Sequence, residues 1–360
     1  MNTPGLLKCA GAVVALVTVS ACASGSTVAP SAATLNATYV GRTLFVNGRP
    51  VTAERLNPLP LYSELAPDKS KSKNYEYVIN FYGTYASIFD YPKSDAMIGQ
   101  LNGLGGQGCT NVLYGYGKKI FWNPGRLSIG GIQEYQVPKK LLRTLPIDYT
   151  ITSSCAMNTS GDLAVGILVG NSSSRGGQVV IFKNATGSGK VYQTPLAREY
   201  FNGYDASGNL FADGFSSSYA FGLVELPKGS SKFVTIKTSN SPQFPGSVQW
   251  DGTYLTVYDQ LTSETYQYTV SGTTATLKNT IQYSGVGDCA QKWIVKGLLY
   301  CGDAGAGGEV YKYPSGGSPI ATFRGNFDVP LGVVAVTNRE SALLVDAEEL
   351  QMRSTLAEVR

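Results

Sequence analysis

Between Tyr75 and Asn338 the chain is written in short runs of alternating apolar and polar residues. "YEYVINFYG" (75–83), "KFVTIKT" (232–238) and "SPIATFRG" (318–325) are examples. A period of two puts one face of a strand against a core and the other toward solvent. Clusters of Gly, Asn, Asp and Ser separate the runs, as in "MNTSGDLAVG" (157–166), "GYDASGNLFADG" (203–214) and "QWDGTYLTVYD" (249–259). Such clusters between alternating runs signal hairpins. No central segment sustains the 3.6-residue period of a helix, so the pattern predicts an all-β chain.

The runs repeat. Similar turns occur at "FDYPK" from Phe89, "YQVPK" from Tyr135, "IFKNA" from Ile181, "VELPK" from Val224, "QYTVS" from Gln267 and "YKYPS" from Tyr311. Successive markers lie 43–46 residues apart, the period of a four-stranded propeller blade. A single blade cannot bury both faces, so blades must pack side by side around an axis. The markers predict a β-propeller of six four-stranded blades over residues 74–340. The first repeat begins at its second strand, Tyr75 onward, and lacks an innermost one. "PLGVVAVTN" (330–338) is the strand expected to close the ring by pairing with the N-terminal blade, which removes the exposed edges of an open sheet.

Before the propeller, residues 36–73 hold a predicted hairpin, "RTLFVNGRPVTAE", with Asn47-Gly48 at its turn. A Pro-rich connection, "NPLPLYSELAPDK", follows. After it, residues 341–360 read either as a short amphipathic helix or as a tail without fixed structure. Residues 1–21 have the form of an export signal: Lys8, then a small and apolar run from Cys9 to Val19. That run is too short to span a bilayer, which takes about 20 residues. It ends in "VSAC" (19–22), which resembles the lipobox of bacterial lipoproteins. The resemblance implies cleavage before Cys22, a diacylglycerol on its thiol, and residues 22–35 as a flexible tether. Ala at position 23, rather than Asp, implies sorting to the outer membrane. The alternative is an ordinary signal cut at an Ala-x-Ala-like site such as "ACA". Both readings export the domain.

Charged residues are 15% of the chain, below the roughly 25% usual in globular proteins. The 42 Gly and 23 Tyr suit strands and tight turns. Net charge is +4 with Lys and Arg dispersed, so no basic stripe points to nucleic acid; "DKSKSK" (68–73) reads as a solvated loop. The chain has no histidine. Ser-His-Asp and Cys-His nucleophile systems are thereby excluded, as are His-ligated zinc sites. Chemistry would have to run on carboxylates, Lys, Tyr or an oxygen-ligated metal.

Export also puts Cys109, Cys155, Cys289 and Cys301 in an oxidising compartment, where four cysteines allow three pairings. The repeat favours Cys109–Cys155, at equal depth in adjacent blades, and Cys289–Cys301, on neighbouring strands of one blade. Buried free thiols are the alternative.

The repeats resemble NHL/YVTN-type β-propellers and, more closely, uncharacterised exported bacterial propeller lipoproteins. "GYDASGNLFADG", "VELPKGSSKF", "FPGSVQWDG" and "PLGVVAV" carry the resemblance. It implies a fold and leaves function open, because propellers host hydrolases, lyases, dehydrogenases and binding modules alike. Aligning the ends of the second strands gives Asn80, Asn123, Asp213, Asp259 and Asp303. A propeller would set these in a ring at the channel mouth, where oxygen ligands could hold Ca²⁺, as sugar-lactone hydrolases of this fold do. Asn and Asp are equally the preferred turn formers at strand ends, and the third blade reads "GILVGN" at this position. Asn158, Asp205 and Asp251 read as turn residues. Tyr114, Tyr116, Trp122, Tyr204, Trp250 and Trp293 are the aromatic candidates, for stacking on a sugar or lining a peptide groove, or for packing between blades. "ATGSGKV" (185–191) lacks the spacing and the Ser/Thr of a phosphate loop. The reading reached is a lipid-anchored envelope propeller that binds a protein or glycan partner and requires no cofactor. A metal-dependent hydrolase or lyase on the Asn/Asp ring, and a cell-wall glycan binder, are the alternatives.

Overall fold

The computed structural model describes residues 14–17, 35–40, 43–46, 49–51, 75–80, 85–90, 94–102, 108–110, 119–122, 128–129, 132–136, 140–149, 151–169, 176–286, 289–303, 307–323, 325, 327 and 330–336. The chain divides into two compact units, Met1–Asn57 and Pro58–Arg360. In the first, Val14–Val17, Leu35–Val40, Thr43–Val46 and Arg49–Val51 form a four-stranded antiparallel sheet. Val14–Val17 falls within the segment read as an export signal. Val46 pairs with Arg49, the register expected for a hairpin turning at Asn47-Gly48. Cys22, the tether and the tail 341–360 lie outside the described residues.

The second unit is a series of four-stranded antiparallel meanders. One runs Ile151–Met157, Leu163–Val169, Gln178–Phe182, Lys190–Gln193. The next runs Arg198–Tyr204, Leu210–Phe215, Phe221–Leu226, Val234–Thr238. Pro245–Trp250, Leu255–Asp259, Glu264–Ser271 and Thr274–Gln282 make another. Cys289–Val295, Leu298–Asp303, Gly307–Lys312 and Ala321–Phe323 make the last in sequence. Upstream, Gly108–Thr110, Lys119–Trp122, Ile132–Gln136 and Lys140–Leu145 repeat the plan. The first sheet holds Tyr75–Asn80, Tyr85–Asp90 and Ser94–Asn102, and its innermost strand is Pro330–Val336 from the far end of the chain. The expected closure is thus present, with Val334 opposite Tyr77 and both side chains fully buried. Apart from a 3₁₀ turn at Lys183–Ala185, the described residues are strand and turn, and no helix among them is long and apolar enough to cross a membrane.

The innermost strands neighbour one another in a cycle: Pro330–Val336, Gly108–Thr110, Ile151–Met157, Arg198–Tyr204, Pro245–Trp250, Cys289–Val295, and back to Pro330–Val336. The chain is an all-β protein with the architecture of a β-propeller. Burial falls from the axis outward. Leu210–Phe215 is buried throughout, whereas Val234–Thr238, at the rim of the same sheet, alternates with one buried residue. Adjacent sheets pack face to face: Phe201, Phe211 and Leu223 of one share a cluster with Val248, Val257 and Tyr268 of the next. Each such side chain is worth about 1.5–3 kcal/mol when fully buried. A parallel contact, Lys237 with Thr274 and Thr238 with Ala275, also joins these two sheets at their outer strands.

The turns between first and second strands follow one chemistry. Asn158 Oδ1 accepts the N–H of Ser160 and Asp162, Asp205 Oδ1 that of Asn209, and Asp251 Oδ1 those of Thr253 and Tyr254. Gly161 and Gly208 both stand at φ +87°, the left-handed conformation that only glycine adopts cheaply. The turn assignments of Asn158, Asp205 and Asp251 are therefore side-chain bonds to their own loops.

Candidate functional site at the propeller axis

The innermost strand of each sheet is an edge, and an edge presents unpaired N–H and C=O groups. Side chains of the preceding sheet meet them. Asp213 Oδ2 accepts the N–H of Gly246 at 3.0 Å, while its Oδ1 accepts that of Phe201 at 3.1 Å in its own sheet. Ser247 Oγ accepts the N–H of Lys292. The Gln249 amide bonds Ile294 twice, accepting its N–H at 2.8 Å and donating to its C=O at 2.7 Å. Gln291 Oε1 accepts the N–H of Val333 at 3.0 Å and so ties the closing strand.

One junction differs. Gly166, in "LAVGILV", offers no side chain between its sheet and the next. The space is taken from the other side by Glu199, which is fully buried. Ser153 and Ser154 donate to its carboxylate, and Asn202 Nδ2 donates both to it, at 2.9 Å, and to Ser154 Oγ, at 2.7 Å. A Cβ at residue 166 would stand 1.8 Å from Glu199 Oε2, so the glycine is a condition of the carboxylate's seat. Burial pushes Glu199 up to about 7, and its hydroxyl and amide donors restrain the shift. Gly166→Ala should cost about 2–3 kcal/mol of stability. In a Glu199→Ala background that penalty should shrink by more than about 1 kcal/mol. Additive effects in urea unfolding would show that the two positions do not touch.

The innermost strands enclose a cavity whose lining includes Ser154, Asn202, Tyr204, Trp250 and Trp293. Asn202 Oδ1, Trp250 Nε1 and Trp293 Nε1 are buried and have no hydrogen-bond partner among the described residues. Buried indole N–H groups normally find a partner. The cavity thus has aromatic walls, and three of its lining residues each hold a buried polar atom, two donors and one acceptor in all, without a partner among the described residues. Ordered water or a ligand is needed to meet them.

Behind the wall lies a caged lysine. Lys292 is buried, and its Nζ stands 3.7 Å from the ring centres of Tyr258 and Tyr283 and 5.9 Å from that of Tyr311. Cation–π attraction replaces hydrogen bonds there, for the ammonium has no hydrogen-bond partner among the described residues. Burial holds it well below its ordinary range, against the opposing pull of Glu309 and Asp303. Glu309, bonded by the Tyr311 hydroxyl, is pushed up to about 7 by burial.

These groups set a pH dependence. Glu199 and Glu309 hold their protons up to about 7 against an ordinary 4.5, and burial shifts Glu76 and Asp213 in the same direction. The folded state therefore binds more protons than the unfolded chain between those values. The contribution of Glu199 and Glu309 is whole below about pH 4.5 and is lost as pH rises through about 7. Glu199 should lower the stability at about pH 8 relative to about pH 5 by at most about 3 kcal/mol in chemical denaturation, while the depressed Lys292 acts in the opposite direction. Glu199→Gln should abolish that loss; an unchanged pH dependence would remove Glu199 from the account.

Asp213 joins two innermost strands. Asp259, fully buried, accepts the N–H of Gln243 at 2.6 Å, Phe244 at 3.2 Å and Leu261 at 3.0 Å, and so fixes two neighbouring loops. Asn80 Nδ2 donates to the Tyr85 carbonyl at 3.2 Å. Asp303 lies with Cys289 and Cys301, the one group of three metal-capable side chains among the described residues. Asn123 lies outside the described residues. The Cys289–Cys301 disulfide is present, and Cys155 is disulfide-bonded; the Cys109 side chain is outside the described residues. Of the aromatics, Tyr204, Trp250 and Trp293 line the cavity; Tyr114, Tyr116 and the Trp122 side chain lie outside the described residues. Glu199, Ser247, Gln249, Gln291 and Lys292 were not singled out. Their signal was polar residues inside otherwise apolar innermost strands, such as "SVQW" and "AQKW".

No protein-family model matches the chain, and no curated protein matches it in sequence. Solved structures match in fold. A chain of a nidogen/laminin complex shares 11% identity at a TM-score of 0.55, over 73% of this chain and 98% of that one. A functionally unknown protein from Desulfotomaculum acetoxidans DSM 771 shares 13% identity at a TM-score of 0.48, over 84% and 95%.

Proposed function

We propose that this chain is an exported six-bladed propeller, anchored by a lipid at Cys22, that works as a binding module of the cell envelope with its ligand site in the axial cavity. One observation carries the reading: Trp250, Trp293 and Asn202 line one cavity, and each has a buried side-chain polar atom without a hydrogen-bond partner among the described residues. The cavity holds about 40 Å³, room for a few waters or one small group, so a ligand would enter it by a small polar group with an acceptor for an indole and a donor for Asn202. The acetamido group of an amino sugar offers that acceptor and donor together, which favours an envelope glycan. The loop-rich ends of a rigid propeller suit recognition, and one neighbour in fold comes from a nidogen/laminin complex. The lipid anchor rests on "VSAC" alone, and no cofactor enters the reading.

Tryptophan fluorescence of the full chain titrated with N-acetylglucosamine oligosaccharides tests it. A saturable change is expected. Trp250→Phe and Trp293→Phe keep an aromatic ring and lose the donor, and each should weaken binding by about tenfold, the worth of one hydrogen bond. No saturable change, or unaltered affinity in both variants, would contradict the glycan site. In the producing cell, Cys22→Ser should leave the membrane fraction; retention there would contradict the anchor.

A further inference from the structure

We infer that reduction of the Cys289–Cys301 disulfide opens a buried site for a thiophilic divalent cation, Zn²⁺ or Cd²⁺, with Asp303 as its third ligand. The placement comes from strand register. Cys289 pairs with Asp303, and Cys301 pairs with Glu309 on the next strand. Residues directly opposite share a face, so two adjacent rows deliver two sulfurs and two carboxylates to one side of the sheet, with Lys292, also opposite Cys301, beside them. The two sulfurs and an Asp303 oxygen lie within 4.8 Å of one another. Cys289 is 2% exposed, and Cys301 and Asp303 are fully buried.

Zinc–sulfur bonds of about 2.3 Å and zinc–oxygen bonds of about 2.0–2.2 Å put tetrahedral ligand atoms roughly 3.5 Å apart. The two sulfurs, bonded to each other in the oxidised chain, would separate to that spacing by side-chain rotation after reduction, with an Asp303 oxygen already within 4.8 Å of both. Glu309, opposite Cys301, accepts the Tyr311 hydroxyl and lies outside this group of three, which leaves the fourth position to water. Two thiolates select a soft or borderline ion, so this site differs in kind from an oxygen-ligated Ca²⁺ ring.

In the oxidised chain each sulfur is bonded to the other and the site is closed. A dithiol reductant supplies two electrons and two protons. The S–S bond breaks, two thiols form, and the dithiol becomes a cyclic disulfide. The cation then replaces both thiol protons, which pass to solvent, and Asp303 would bind it through a carboxylate oxygen. The chain would hold either a covalent cross-link or a metal cross-link between the same two strands.

The test uses the full chain, reduced with dithiothreitol, freed of it without air, and titrated with Cd²⁺. One equivalent should produce a saturable thiolate-to-cadmium ultraviolet band, reversed by a chelator and absent from the unreduced chain. Cys301→Ser should remove at least half of that band, and Asp303→Asn should keep the band with affinity reduced at least tenfold. No saturable band, or a band untouched by Cys301→Ser, would overturn the site. Unaltered affinity in Asp303→Asn would overturn the role of Asp303. If reduction abolishes the cooperative thermal transition, Cd²⁺ must restore it at one equivalent; failure to do so also overturns the proposal.

Discussion

The inner edge of each sheet is the constraint on which the rest of this molecule depends. Strands splayed around an axis cannot complete backbone ladders with one another. Each innermost strand therefore carries N–H and C=O groups that are buried and without a backbone partner. The chain answers with side chains from the preceding repeat. Asp213 reaches Gly246, Ser247 reaches Lys292, Gln249 reaches Ile294, and Gln291 reaches Val333. The last of these holds the strand that closes the ring. Where glycine replaces the reaching side chain, at Gly166, a carboxylate from the following sheet fills the gap and is paid with hydroxyl and amide bonds.

This division of labour gives the axis its character. Most polar groups there are spent on holding strands together, so the ones left over are informative. Asn202 is the clearest case. Its amide nitrogen is committed to Glu199 and Ser154, while its carbonyl faces no partner among the described residues. The two indoles repeat the situation with donors. Lys292 is the opposite case, a cation without hydrogen bonds but enclosed by tyrosine rings, and its location marks the junction that also holds the disulfide.

Much of the fold was legible because the propeller writes its period into the turns. "DASGN" and "NTSGD" encode the same Asx turn with glycine at positive φ, and "PLGVVAV" stood out as a strand without a partner nearby in sequence. The Cys289–Cys301 pair followed from placing both residues on neighbouring strands. The site was less legible. Asp213 and Asp259 were singled out as residues at strand ends, and alternation alone could not reveal whether their carboxylates face a channel or the space between sheets. In the structure both are engaged by backbone N–H groups. Gln249 and Gln291 went unremarked because a lone amide in an apolar strand carries no motif. Their meaning depends on an edge lying about one repeat away, which only the assembled ring supplies. Gly166 was visible as a break in the pattern, but its compensation by Glu199 was not.

Amide hydrogen exchange on the intact chain tests the dependence on inner-edge bonds most directly. The account predicts that the amides of Gly246, Lys292, Ile294 and Val333 exchange only through global unfolding, as core amides do. It also predicts that Gln249→Ala speeds exchange at Ile294 far more than at Tyr268 in the neighbouring core. Inner-edge amides that exchange as fast as loop amides in the unaltered protein, or an Ile294 amide indifferent to the loss of Gln249, would contradict it.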